Sequence, residues 1–499
     1  MKALLSLLPS GVMLVAVLGF RTSGLTAAMA TAASALALWA LSAFSPFSIT
    51  QGFAALADAG VLTALVAAMV VPGIVFVEAT RGRKSPEAIG AVVTAVGLPP
   101  AQTAILVAVG IGVLIESLTG MGVSLLVTMP LLLGLFERRV AIAVGLVGMC
   151  LMPWGALAIS AHVGAQLSGV PLDTLQSYIS VFSGPVAFCL PFWCLVFVPQ
   201  RTAVDLLIAL AAAIVLVAAI ASASRFIGIE VAGVAGGLAV IATMIVLARS
   251  RDGLGPALLS PGLVPYGVLL AAVLVQKLAI KPLAEIGIAP VLATSRVTFA
   301  ILTSPGVALL AATLISERRH LNRALAQRIK ARAWQPIAAI ALFLFAARLL
   351  AECGAMAALA EGFKFAGTAT SIAAVVALGA LGGFVTGSGV TGNALFMENA
   401  VSIAASVANG LAEPNVKAAL PAIYAALQNS SAGHAAMAAL PVGSILIATL
   451  GSRQPGDEAR VMRIALTLAV CHLAVLTAIA ALLLEARWPW AVAAWLGFR

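Results

Sequence analysis

The chain is a series of long apolar runs separated by short polar punctuation. Runs long enough, or nearly so, to cross a bilayer fall at roughly 3–20, 24–44, 60–78, 101–118, 121–136, 140–158, 186–199, 204–222, 229–248, 264–280, 298–315, 335–351, 371–386, 394–408, 437–451 and 462–484. Two of them end in the same Thr-Gly-x-Gly: Thr119-Gly120-Met121-Gly122 and Thr386-Gly387-Ser388-Gly389. Each is followed by another apolar run, so glycines and hydroxyls stand where a hydrocarbon-spanning helix should continue. Freed backbone groups at membrane depth are tolerated only where protein or a water-filled cavity satisfies them, and paired breaks in corresponding halves point to a transporter's binding site. The pattern predicts an all-α polytopic membrane protein with inverted repeats, its two broken or re-entrant helices meeting near the midplane.

Basic clusters punctuate the runs at Arg81/Arg83/Lys84, Arg138/Arg139, Arg201, Arg249/Arg251, the stretch Arg318 to Arg332, and Arg453/Arg460/Arg463. Up to Arg332, two apolar runs separate successive clusters, so all can lie on the cytoplasmic side. This places both termini outside, with Trp488 and Trp490 as interface anchors. Residues 1–499 form one integral membrane domain, with a first repeat half over 60–200, a basic cytoplasmic connection over 317–333 and a second half over 335–484. In both halves a span, a short amphipathic stretch and a run ending in Thr-Gly-x-Gly follow in that order, with opposite membrane orientation.

Composition excludes a water-soluble fold: 62% of the 499 residues are hydrophobic and 9% charged, against roughly 25% charged in soluble domains. The formal charge of +10 belongs to the membrane-flanking clusters, which argues for the lipid bilayer and against nucleic acid as partner. Cys150, Cys189, Cys194, Cys353 and Cys471 form no Cys-x-x-Cys pair or Cys/His ligand cluster, so no metal or other cofactor is expected. Neither a nucleophile-base cluster nor a phosphate-binding Gly-Lys-Ser/Thr loop is present, so an enzyme and a built-in ATPase are both unsupported.

Glu116 ends an otherwise uncharged run three positions before the first Thr-Gly-x-Gly. An ionised carboxylate there is expensive, so it either holds a proton or faces a polar cavity, which suits proton or cation coupling. Thr119, Gly120, Gly122 and Ser124 at the first break, and Thr386, Gly387, Ser388, Thr391 and Asn393 at the second, supply uncharged donors and fresh helix N-termini that suit an anion. The competing reading makes these glycines close-packing positions. A third patch, Gln428 to His434, adds Asn429, Ser430 and Ser431 as binding candidates and His434 as a proton carrier. His162 has a weaker claim, and Arg348, Lys277 and Lys281, towards span ends, are expected to snorkel.

At these residues the chain resembles the L-lactate permease family of bacterial secondary transporters. Glu116-Ser117-Leu118-Thr119-Gly120-Met121-Gly122 is similar to that family's Glu-Gly-Ala-Ala-Gly-Phe-Gly, and Trp154-Gly155-Ala156 and Gln166-Leu167-Ser168-Gly169 to its Phe-Gly-Ala and Gln-Val-Thr-Gly. Phe384 to Phe396 resembles the second signature, Phe-Leu-Thr-Gly-Ser-Asp-Thr-Ser-Ser-Asn-Ala-Leu-Phe, and Asn429-Ser430-Ser431 its Asn-Thr-Thr. Two positions depart: the family's Asp is Gly389 and its later Lys is Met437. The resemblance implies proton symport of a small 2-hydroxymonocarboxylate such as lactate or glycolate across the bacterial cytoplasmic (inner) membrane, in a divergent member. Likeness to the wider ion-transporter group further implies a homodimer with a moving transport domain. Sodium coupling of a different organic anion, with carbonyls around Gly120 and Gly387 holding the ion, and a passive anion channel are the alternatives.

Overall fold

A computed structural model describes residues 2–485 except 21, 121, 249–252, 281–285, 287–289, 364–365, 412–413 and 453. Met121, Arg249, Arg251, Lys281, Arg453, Trp488 and Trp490, named above, lie outside the described residues. The protein is an all-α polytopic membrane protein: among the described residues nine helices are long and apolar enough to span a bilayer, or ten if a bent pair is one span. The only described strands form a small antiparallel hairpin, Val291–Ala293 with Thr298–Ala300.

Two series of elements run in the same order. The first is Ile49–Thr80, Ser85–Val96, Pro100–Thr119, Val123–Leu135, the bent pair Arg138–Val147 and Met152–Ser168, then Leu172–Phe197. The second is Arg323–Glu352, Ala355–Gly362, Thr368–Thr386, Gly389–Ala408, the pair Pro414–Ala436 and Leu440–Thr449, then Asp457–Glu485. The two long opening helices pack on each other. Their flanking elements are exchanged: Gly24–Ala40 packs on helix 323–352 while Pro305–Glu317 packs on helix 49–80, and Lys2–Ser6 packs on 355–362 while Leu254–Leu258 packs on 85–96.

Burial sorts core from lipid-facing surface. Of the most apolar stretch of helix 100–119, 94% is buried, against 33% for Ala203–Phe226. The latter presents Leu206, Leu207 and Ile214 outward and keeps Ala209, Ala213 and Leu216 inside. A Thr202 and Asp205 capping box starts it, the Thr202 N–H donating to Asp205 Oδ2 at 2.8 Å.

Hydropathy misplaces several boundaries. The runs predicted at 121–136 and 140–158 are the short helix 123–135 and a pair bent by 50°. The run at 298–315 opens in the hairpin and becomes helical only at Pro305. Helix 323–352 begins within the predicted surface connection, and the polar patch at 428–434 lies inside helix 414–436. In the first place Glu78 of helix 49–80 pairs with Arg328 and Arg332, and in the second the patch is enclosed by the rest of the protein, so a dip in hydropathy does not become a loop.

Two glycines just before the second motif are close-packing positions. A Cβ on Gly383 would run into the carbonyl of Ala432, with the carbonyl carbon at 2.7 Å, and one on Gly382 would fall 2.8 Å from the Cα of Gly392. Such approach is how helices associate where lipid offers no hydrophobic drive. Gly383→Ala is therefore expected to destabilise the protein by about 1–3 kcal/mol or more, read as a lower unfolding temperature in detergent. An unchanged temperature would mean that helices 368–386 and 414–436 can separate at no cost.

Candidate functional site

The first break lies where the sequence places it. Helix 113–119 ends at Thr119, Gly120 and Gly122 take positive φ (+66° and +77°), and helix 123–135 follows. Glu116 folds back over this break: the Ser124 hydroxyl donates to Oε2 at 2.8 Å and the Gly122 N–H to Oε1 at 3.3 Å. The carboxylate is 1% exposed, and among the described residues no ion pair involves it. A helix N-terminus attracts anions, and here the chain's own acid occupies it. Thr119 spends its hydroxyl on its own helix, donating to the Ile115 carbonyl at 2.6 Å.

At the second break helix 368–386 ends at Thr386, Gly387 takes φ +69°, and Ser388 caps the next helix by accepting the Thr391 N–H at 3.4 Å. The Thr386 hydroxyl donates to the Gly382 carbonyl at 2.7 Å. Thr391 is buried one turn inside helix 389–408. The Asn393 Nδ2 donates to the Ser160 carbonyl at 2.8 Å and to Asn429 Oδ1 at 2.7 Å. Among the described residues Asn393 Oδ1 and Asn429 Nδ2 have no hydrogen-bond partner, both in side chains of 0% exposure. Buried polar atoms are rarely orphaned, so this acceptor and this donor are candidates for contact with a polar ligand.

The start of helix 155–168 stands between the breaks. A Cβ on Gly120 would fall 2.5 Å from that of Ala156, and one on Gly389 would fall 3.3 Å from that of Ser160. Ala156, Leu157 and Ala158 all take left-handed conformations, φ 49°, 54° and 56°, at about 1–2 kcal/mol per residue for a side chain with a Cβ. Strain of this kind collects at functional sites.

The 428–434 patch divides by helix face. Asn429 joins Asn393, whereas the Ser431 hydroxyl donates to the Gln428 carbonyl at 3.1 Å and sits beside Gly379. Ser430 and His434, one turn apart, share another face. His434 Nε2 lies 3.1 Å from the Ser183 hydroxyl, with its ring 5.4 Å from that of His472. The Ser430 hydroxyl has no partner among the described residues. Asn393→Ala would strand the Ser160 carbonyl and Asn429 Oδ1 and is expected to cost about 1–3 kcal/mol, while Ser430→Ala should stay within about 0.5 kcal/mol. Thermal unfolding of the two variants side by side checks this, and equal losses would contradict the assignment of partners.

Two predictions of snorkelling are corrected. Lys277 pairs inside the protein with Glu230, their side chains 6% and 4% exposed, and His162 Nε2 lies 3.1 Å from the same carboxylate. Arg348, 6% exposed, pairs with Asp58 and Glu398. Partners brought by other helices make burial cheaper than reaching for water. The signal available in the sequence is the acid inside each apolar stretch, Asp58, Glu230 and Glu398, which no inspection of the bases alone reveals.

The basic clusters around Arg83 and Arg328 meet at one end of the molecule. Arg83 pairs with Glu317 at 2.7 Å, and Arg328 and Arg332 with Glu78 at 3.1 and 2.5 Å. Glu78, Arg83, Glu317 and Arg328 line a cavity of about 630 Å³ together with Arg81 and Asn322.

Residues 267–486 match the model of a protein family described as L-lactate permease. The match spans the second break, Asn393 and the Asn429 patch; Glu116 and the first break lie before it. No curated protein matches the chain.

Proposed function

We propose that the chain is a member of the L-lactate permease family, whose model matches residues 267–486, and that it imports a small organic anion, a 2-hydroxymonocarboxylate such as lactate or glycolate, by proton symport across a bacterial cytoplasmic membrane. The observation that carries this reading is Glu116 seated on the N-terminus of helix 123–135 with hydrogen bonds from Ser124 and Gly122 and, among the described residues, no ion pair. An anionic Glu116 repels a second carboxylate from that helix end. Protonation removes the repulsion and loosens the acid's hold on both donors, so the proton and the substrate anion favour each other's binding. This is the thermodynamic content of symport.

The orphaned pair at the second break supports the substrate class. Asn429 Nδ2 can donate to a carboxylate or hydroxyl oxygen and Asn393 Oδ1 can accept from a hydroxyl. A 2-hydroxy acid carries both groups on adjacent carbons, and a site built to hydrogen-bond a hydroxyl discriminates strongly against analogues lacking it. Both residues are fully buried, so substrate enters only when the helices around them part. The two series of helices and their exchanged flanking elements support an inverted repeat as the machinery of that opening. On this reading the family's Asp and Lys, replaced here by Gly389 and Met437, are dispensable.

Labelled lactate should accumulate in proteoliposomes under an inward proton gradient, with sodium replaced by choline. Glycolate should compete strongly and propionate, which lacks the hydroxyl, weakly. Accumulation that needs sodium would turn the assignment to a sodium-coupled carrier, and equal competition by propionate would remove Asn393 from hydroxyl recognition.

A further inference from the structure

The charged network around Arg348 belongs to neither break. Arg348, on helix 323–352, donates from Nε and Nη2 to Asp58 Oδ2 of helix 49–80 at 3.0 and 2.6 Å, and from Nη1 to Glu398 Oε1 of helix 389–408. Glu352 lies 3.5 Å from the same guanidinium and takes a second partner, Arg296 of the hairpin, at 2.9 Å. The Thr294 hydroxyl closes the group by donating to Asp58 Oδ1 at 2.6 Å.

Three carboxylates converge on two guanidiniums, leaving one excess negative charge among side chains of which Asp58, Arg348 and Glu398 are 3%, 6% and 10% exposed. An uncompensated charge in such a place is expensive, and a bound proton removes it. Of the three acids, Asp58 holds a two-point contact with Arg348 and a hydroxyl, and Glu352 holds two arginines. Glu398 holds Arg348 through one oxygen, and its other oxygen, Oε2, is buried with no partner among the described residues. Arg348 keeps Asp58 when Glu398 is neutralised, so protonating Glu398 strands no cation.

Among the described residues the other elements packed on helix 389–408 bring no competing charge to this carboxylate. Helix 368–386 contains no ionisable group. Glu361 of helix 355–362 and Lys417 of helix 414–436 are exposed, His434 of the latter is engaged with Ser183, and His162 of helix 155–168 is engaged with Glu230. Arg296, 54% exposed, joins the network to water.

We propose that Glu398 is a second proton-binding site, and that its protonation frees helix 389–408 from Arg348. A proton from the aqueous phase on the hairpin side adds to the Glu398 carboxylate, the Arg348 to Glu398 ion pair is lost, and the network falls from one net negative charge to none. Asn393 lies five residues earlier on the same helix, about 7.5 Å along its axis, so the event acts on the element that carries the orphaned acceptor. The connection to substrate movement rests on the symport reading above; the proton site itself does not.

Infrared difference spectra between low and high pH, taken on the full-length protein in lipid, test the site directly. The wild type should show the C=O stretch of a protonated carboxyl that disappears in Glu398→Gln, persists in Glu116→Gln and returns in Glu398→Asp. A Glu398→Gln spectrum identical to wild type overturns the proposal. In the same preparations, Glu398→Gln should lose proton-driven lactate accumulation and retain lactate counterflow, which also shows that it is folded. Undiminished accumulation in that variant overturns the coupling role. Wild-type protein that shows the Glu398 band but never accumulates lactate on a proton gradient supports the proton site and sinks the symport reading instead.

Discussion

Glu116→Gln is expected to abolish proton-driven accumulation while leaving exchange of labelled for unlabelled lactate in place. Gln matches Glu in shape and keeps one carbonyl oxygen to accept from Ser124 or Gly122, so the break stays closed over it. The cost to stability is about one hydrogen bond, near 1 kcal/mol. What Gln cannot do is change charge. The N-terminus of helix 123–135 is then permanently open to the substrate anion, and binding no longer depends on a proton. Exchange, which needs only binding and reorientation, should run and lose its dependence on pH. Proteoliposomes loaded with unlabelled lactate read exchange, and the same vesicles under a pH gradient read accumulation. A variant that still concentrates lactate on the gradient would remove Glu116 from coupling and leave it the role of a helix cap.

Arg348→Ala should be the most destabilising of the substitutions considered. It leaves the buried Asp58 without the two-point guanidinium contact and Glu398 without its ion pair. Breaking a buried pair by removing one partner costs about 3–5 kcal/mol, because the remaining charge has neither water nor a counterion. The same substitution at Arg296, half exposed and paired with Glu352 at 2.9 Å, should cost no more than about 1 kcal/mol. Unfolding temperatures in one detergent compare the two directly. An Arg348→Ala variant as stable as Arg296→Ala would mean that Asp58 and Glu398 find other partners or simply take up protons. Adding Asp58→Asn to Arg348→Ala should recover part of the loss, since it removes the stranded charge rather than restoring a contact.

Much of this protein is written in local sequence. Long apolar runs report the medium around each segment, because the cost of exposing backbone and charge to hydrocarbon is paid residue by residue. The membrane class, the helical fold and the two breaks at Gly120 and Gly387 follow from that alone, and so does the prominence of Glu116 as an acid at the end of an uncharged run. What an apolar run does not report is its neighbour: once every helix is apolar, hydropathy cannot distinguish the lipid-facing helix 203–226 from the enclosed helix 100–119. Contact between helices is decided by the shape of small residues, as where Gly383 admits the Ala432 carbonyl. Only the tertiary structure could place Asp58 on Arg348, 290 positions away, or Asn393 on Asn429, or turn Ala156 to Ala158 left-handed against Gly120, since no local pattern favours that conformation in residues with a Cβ. The same holds for the helix end that Glu116 occupies: sequence determined that an acid and a fresh N-terminus lie close together along the chain, and the fold around Gly120 and Gly122 decided that the acid turns back onto it.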